Sequence, residues 1–379
     1  MKREHLGLVA AVLLAACEED ELCSSCADLI AADTSPSDAR VEDAMAAPDA
    51  ELAPDRGGND ASEFRPDSGS NDVGSAPDTH PFDAGRGDAA EPDAASVDAG
   101  SFDAGPDAGV GQLIAFASRR GSGDYDIFTM KPDGTDVRQL TTDPAIDLFP
   151  SWSPNGTLGF VSLRTGSLAL YLLEPSTSEV TELLTPGVFS PSSPAFSPDG
   201  SIVAFEGRPA ASATHEIWVV PALGGTPVRL TNNTFVDAGP VWSPDGSLLY
   251  FVSDRSGQYE IWSMRLNGME ATQITTSSGI LGKPTLSADG SRLAWSRLTA
   301  DMERSRIVVE EIATHTRTTL TNEDDSEPAY DPTGRWLLFT TTRFGDPEVM
   351  SYDLGTSGPS VRLTNDLALD GASAMSNPF

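Results

Sequence analysis

The residues able to do chemistry are few, and the most regular of them are carboxylates. Asp147, Asp237, Asp325 and Asp370 each stand three residues before a repeated strand-forming run. Units that close into a ring would bring one such carboxylate per unit to a single rim. Gathered there, they would focus negative potential and favour a calcium ion or a basic peptide segment. The same residues allow a second arrangement, in which each aspartate caps its own loop or pairs with a recurrent arginine: Arg120, Arg164, Arg255 or Arg343. His215 and His315 are the two histidines beyond residue 110, and both read as surface turn residues flanking strands. No Gly-x-Ser-x-Gly elbow is present, and two separated histidines do not make a nucleophile triad. The expectation is a protein without catalysis.

The element that must position these carboxylates is Pro240-Val241-Trp242-Ser243-Pro244-Asp245-Gly246 and its near copies. The matching glycines are Gly156, Gly200, Gly246, Gly290 and Gly334, at intervals of 44, 46, 44 and 44 residues. A period that regular marks a repeat architecture. Each unit reads as four short strands separated by turn signals, as in a propeller blade. In the unit at Pro240 the runs are Val241-Trp242, Leu248 to Ser253, Glu260 to Met264 and Thr272 to Thr275. Pro244 presets the first turn position and Gly246 supplies the left-handed one. The second run carries an aromatic each time, namely Phe116, Phe160, Phe205, Phe251, Trp295 and Phe339, which predicts six blades with aromatic cores. The folded part begins on a second run, Leu113 to Ser118, so the first blade lacks its inner strand. The last residues, Ser373 to Phe379, align with the inner-strand repeat and are expected to fill that place. Closure would remove two strand edges open to foreign pairing. The fold class expected is all-β, a six-bladed β-propeller over 111–379.

Ahead of the repeat the chain changes character. The formal net charge of the whole is −33, and residues 18–110 hold 24 Asp or Glu against 4 Arg. Their Ala, Asp, Pro, Gly and Ser composition offers too little apolar surface to offset chain entropy, so 18–110 is expected to be a disordered acidic tether. So negative a chain repels nucleic acid and anionic headgroups, which excludes both as expected partners. Residues 1–17 resemble a bacterial lipoprotein signal: Lys2 and Arg3 precede an apolar run from Leu6 to Leu14, and Leu14-Ala15-Ala16-Cys17 matches the lipobox. The resemblance implies lipidation at Cys17. Glu18 after it favours delivery to the outer membrane, facing the periplasm or the cell surface. Cys23 and Cys26 then remain as an even pair in an exported chain, which favours a small local disulfide over redox or metal roles.

The repeats resemble the TolB-like propeller family. The resemblance rests on the Pro-x-aromatic-Ser-Pro-Asp-Gly runs, the Phe251-Val252-Ser253-Asp254-Arg255 type of second strand, the Glu260-Ile261-Trp262 type of third strand and the Arg229-Leu230-Thr231 type of fourth strand. It implies the propeller fold. The function expected from the residues together is a monomeric, lipid-anchored envelope scaffold that binds a protein or peptide through the channel-mouth face, with no cofactor unless calcium at the four aspartates. The competing expectation is a carbohydrate-binding or glycan-active envelope propeller.

Overall fold

The computed structural model describes residues 111–376, apart from 122, 210–213, 269–270, 277–278, 300–303, 322, 357 and 366–367. The expected signal, tether and Cys17, Cys23 and Cys26 lie outside the described residues. Asn377, Pro378 and Phe379 of the closing segment do as well.

Among the described residues, twenty-four strands form six four-stranded antiparallel sheets. Blade 1 takes β1 (Ile114–Ser118), β2 (Asp126–Met130) and β3 (Arg138–Gln139). Blade 2 is β4 (Asp147–Trp152), β5 (Leu158–Ser162), β6 (Ala169–Glu174) and β7 (Glu179–Leu183). Blade 3 is β8 (Val188–Phe196), β9 (Ile202–Pro209), β10 (Glu216–Pro221) and β11 (Val228–Arg229). Blade 4 is β12 (Asp237–Trp242), β13 (Leu248–Ser253), β14 (Glu260–Arg265) and β15 (Thr272–Gln273). Blade 5 is β16 (Ile280–Leu286), β17 (Arg292–Leu298), β18 (Ser305–Glu311) and β19 (Thr316–Thr319). Blade 6 is β20 (Asp325–Tyr330), β21 (Trp336–Phe344), β22 (Asp346–Asp353) and β23 (Val361–Arg362). The last strand, β24 (Asp370–Met375), returns to blade 1 and pairs with β1 in the register Ile114 to Met375 and Ser118 to Asp370. Ser376 completes the seam, its N–H donating to the Leu113 carbonyl at 2.8 Å and its hydroxyl accepting from the Leu113 N–H at 2.8 Å. The ring is therefore closed by the end of the chain, as the repeat register requires.

The core lies between blades rather than within them. Phe160, Tyr171 and Leu158 of blade 2 pack on Tyr125 and Ile127 of blade 1, while Phe116 and Met130 of blade 1 pack on Leu338 and Val349 of blade 6. All six second-strand aromatics are wholly buried. A strand covered on both faces shows little alternation, so periodicity within one strand is weak while periodicity between blades is strong.

The turn chemistry explains the repeat. In Ser243-Pro244-Asp245-Gly246 the Gly246 N–H donates to the Ser243 carbonyl at 2.9 Å, with Gly246 at φ +70°. Asp245 accepts from the Ser243 hydroxyl at 2.6 Å and from the Ser247 N–H at 3.0 Å. Those hydrogen bonds, the Ser243 hydroxyl first, hold its carboxyl down at about 2. Gly268 in the opposite turn is fixed by space as well: an added Cβ would sit 2.1 Å from the Leu230 carbonyl of blade 3.

The inner strands begin earlier than the sequence pattern indicates. They start at the aspartates themselves, Asp147, Asp237, Asp325 and Asp370, rather than three residues later. A bulge intervenes. Phe149, Ser190, Gly239, Gly282 and Glu327, the third residue of β4, β8, β12, β16 and β20, all have left-handed φ between 49° and 70°. The ladder register slips after each of them. One extra residue in β4, β12 and β20, and two in β8 and β16, separate the visible Pro-x-aromatic run from the true strand start.

Candidate functional site

The four aspartates occupy one repeated position, and each has a side chain with no exposure. Arg164 donates to both oxygens of Asp147 at 3.1 and 2.9 Å. Arg255 does the same to Asp237 at 2.8 and 2.8 Å, and Arg343 to Asp325 at 2.8 and 2.7 Å. Arg120 pairs with Asp370. All four guanidiniums are also tied back by a hydroxyl two residues earlier, Ser118, Ser162, Ser253 and Thr341. The blade aromatics face them from the other side: Arg164 lies 5.2 Å from the Phe160 ring centroid and 4.6 Å from that of Tyr171. The geometry is thus the arginine-paired arrangement, not an open rim of carboxylates. In three of the pairs the guanidinium engages both carboxylate oxygens, so the aspartate charge is balanced within its own blade. Burial pushes the Asp147 carboxyl upward, against the Ser162 and Thr141 hydroxyls and Arg164. Among the described residues no three histidine, cysteine, aspartate or glutamate side chains gather closely enough to hold a metal.

A second set of polar residues comes together that the sequence pattern did not single out. It draws on blades 3, 4 and 5. Glu206, on β9, accepts the Gly239 N–H at 2.6 Å through Oε2, so the bulge amide of blade 4 is answered by the preceding blade. His215, just before β10, places Nδ1 3.8 Å from Glu206 Oε1. Lys283, the residue after the bulge of β16, reaches back to donate to the Pro194 carbonyl of β8 at 3.1 Å. Burial tends to raise the Glu206 carboxyl, but the His215 ring, the Gly239 amide and the Lys283 ammonium together leave it below its ordinary value. Burial pulls the Lys283 amine down to about 8, with Glu206 opposing. His215, expected as a surface turn residue, instead has a side chain only 15% exposed beside this carboxylate. His315 fits the expectation, 68% exposed and hydrogen bonded to Glu310.

Lys283 also borders a depression of about 240 Å³ whose wall includes Trp152, Trp242, Pro154, Pro198 and Pro244. These are the ends of inner strands β4 and β12 and the Ser-Pro turns that follow β4, β8 and β12. An ammonium beside apolar walls offers a donor and a graspable surface, which is the chemistry of recognition. Sequence reasoning missed the set because its side chains come from blades 3 and 5 and meet across the Gly239 amide of blade 4. The one signal was composition: Lys283 is one of only three lysines in the chain, against 21 arginines.

With fold and geometry in place, the class of protein is defined by its architecture: the folded region is a six-bladed β-propeller, and it is similar to the propellers of TolB proteins. Residues 187–352 match the family model described as the TolB beta propeller domain. The chain is 31% identical over 226 residues to the Tol-Pal system protein TolB of Francisella tularensis, an alignment covering 58% of this chain and 51% of that one. It is 45% identical over 58 residues to the protein TolB homolog of Chlorobium luteolum, covering 15% of this chain and 13% of that one. The chain thus spans about half the length, or less, of the curated relatives it matches. Among solved structures, TolB from Acinetobacter baumannii superposes with a TM-score of 0.62 at 23% identity, covering 70% of this chain and 66% of that one. That likeness shows the fold.

Proposed function

We propose that the protein is a non-enzymatic scaffold of the bacterial envelope that binds another protein or peptide through the channel of its propeller. The observation that carries the reading is the 226-residue alignment with a protein named for the Tol-Pal system. The geometry supplies the place. With the aspartates of β4, β12, β20 and β24 taken up by arginines, the polar groups that support the reading are Glu206, His215 and Lys283, of which Lys283 borders the Trp152 and Trp242 depression. Lipid on Cys17 would hold the chain at the membrane, and residues 18–110 would carry the propeller away from it.

Two experiments test the parts separately. A photo-crosslinking residue at Leu281, next to the bulge of β16, is expected to capture a discrete envelope protein in living cells. An equivalent residue at exposed Val137 should capture it far less. Equal or absent capture at both positions would overturn the channel reading. Metabolic labelling with an alkyne fatty acid is expected to mark the wild-type chain and not Cys17→Ser. Labelling of both would remove the anchor.

A further inference from the structure

The outer edges of the six blades are not alike. In four of them the outermost strand is two residues long: β3, β11, β15 and β23. Blade 2 ends instead on β7, five residues that pair along their whole length with β6. β7 is the last strand of its sheet, so every second N–H and C=O along it points away from β6. Proteins usually shorten or charge such an edge to keep strangers from adding to it. This one is long, its charge is of one sign only, from Glu179 and Glu182, and it is bordered by a trough with apolar walls.

The trough has a volume of about 340 Å³ and lies between β6, β7 and the turn after β10. Leu172, Leu183 and Leu223 form its apolar wall, and Glu174, Glu179 and Glu182 supply its charge. No basic side chain lines it. Leu223 is fully exposed, and Leu184, where the strand runs out, is 62% exposed. Large apolar side chains left in water beside an open ladder mark an interaction surface.

We propose that β7 is a docking edge that accepts, as a fifth strand of blade 2, an extended segment of another protein in which basic and apolar residues alternate. Backbone pairing supplies the attachment, the leucines take the apolar residues, and the three glutamates select for positive charge. Charge rules out the nearer occupants. Residues 18–110 of this chain hold 24 acids against 4 arginines, and β7 of a second copy would set glutamates against glutamates. The other long outer strand, β19, carries Arg317, whose guanidinium already donates to Glu310 at 2.6 Å, and nothing apolar is exposed on it. The surface is independent of the channel reading.

The test uses the full chain and three capped decapeptides: alternating Lys and Val, the same composition in two blocks, and alternating Glu and Val. Hydrogen exchange is the readout, because the acidic segment before residue 111 will also attract cations. The alternating Lys peptide is expected to protect amides of residues 179–184 saturably, and the block peptide to bind there at least tenfold more weakly. In a Glu179→Lys, Glu182→Lys variant, preference should pass to the alternating Glu peptide. Glu179→Gln, Glu182→Gln serves if the reversal fails to fold, and should lose preference without reversing it. Protection that spares β7, equal binding of alternating and block peptides, or preference unchanged in both variants would overturn the proposal. So would concentration-dependent self-association abolished by the same substitutions, which would make the occupant a second copy.

Discussion

Blades 1, 2, 4 and 6 carry the same fastening and blades 3 and 5 do not. In the first group an inner-strand aspartate receives an arginine from the end of the second strand. At the equivalent place in β8 and β16 stand Val188 and Ile280. The blades without the ion pair are the ones that contribute Glu206 and Lys283. Where the repeat is kept, its charges neutralise one another and hold a loop to a sheet. Where it is broken, charged side chains are placed toward other blades. A departure from an otherwise consistent pattern is where selection for something besides folding is expected to show.

The contrast can be broken most severely at the seam. Truncation after Asn365 removes β24, uncovers β1 and opens the contact between blades 1 and 6. Loss of the cooperative urea transition is the expected result. A truncated chain that unfolds at an unchanged midpoint would mean that the ring does not depend on closure.

Next in size is the ion pair itself. Arg255→Met leaves the Asp237 carboxylate buried without its partner, which costs about 3 to 5 kcal/mol in urea denaturation. Asp237→Leu combined with Arg255→Met should recover most of that loss, since a buried pair exchanged for apolar groups is often neutral. If the single and double variants were equally unstable, packing of the Arg255 stem over Phe251 and Trp262 would be the larger effect.

Gly268→Ala comes third. It meets the Leu230 carbonyl and a positive φ together, for a cost of about 1 to 3 kcal/mol, read as a lowered melting point. Gly257→Ala is the control, because an added Cβ there touches nothing within 4 Å while φ is +90°. Only the conformational part of the penalty should remain.

The smallest effect separates the exceptional blades from the others. The folded chain releases the Lys283 proton near pH 8, whereas the unfolded chain holds it to about 10.5. Between those values the unfolded state binds more protons, so stability should rise with pH across that window. Lys283→Met should flatten the rise relative to wild type. Comparison of the two curves is needed because Tyr125 and Tyr330, both shifted upward by burial, oppose the rise above pH 10. Identical slopes would place Lys283 in open solvent.

What the sequence made legible was whatever recurs. The Ser-Pro-Asp-Gly turns, the six aromatics and the unfilled inner position of blade 1 fix blade number and closure, because each depends on local turn geometry or on a place in the period. The start of the inner strands was misplaced by three residues, because the bulges at Phe149, Gly239 and Glu327 shift the ladder without a common residue type to mark them. The arginine partners of the aspartates were visible as one of two arrangements. Which one holds depends on a reach across a turn that spacing alone does not fix. Glu206, His215 and Lys283 were out of reach altogether, since bringing Lys283 of blade 5 to the other two on blade 3 needs the rotation across the intervening blade. β7 was hidden for a related cause: the length of an edge strand is set by how far it pairs with its neighbour, not by its own five residues.

Seating β24 beside β1 also settles how the ring would bear a pull applied at the start of blade 1. Tension arriving through residue 111 enters a strand flanked by β24 on one side and β2 on the other. To give way it must slide past two hydrogen-bonded partners together, instead of being peeled from a free margin one bond at a time.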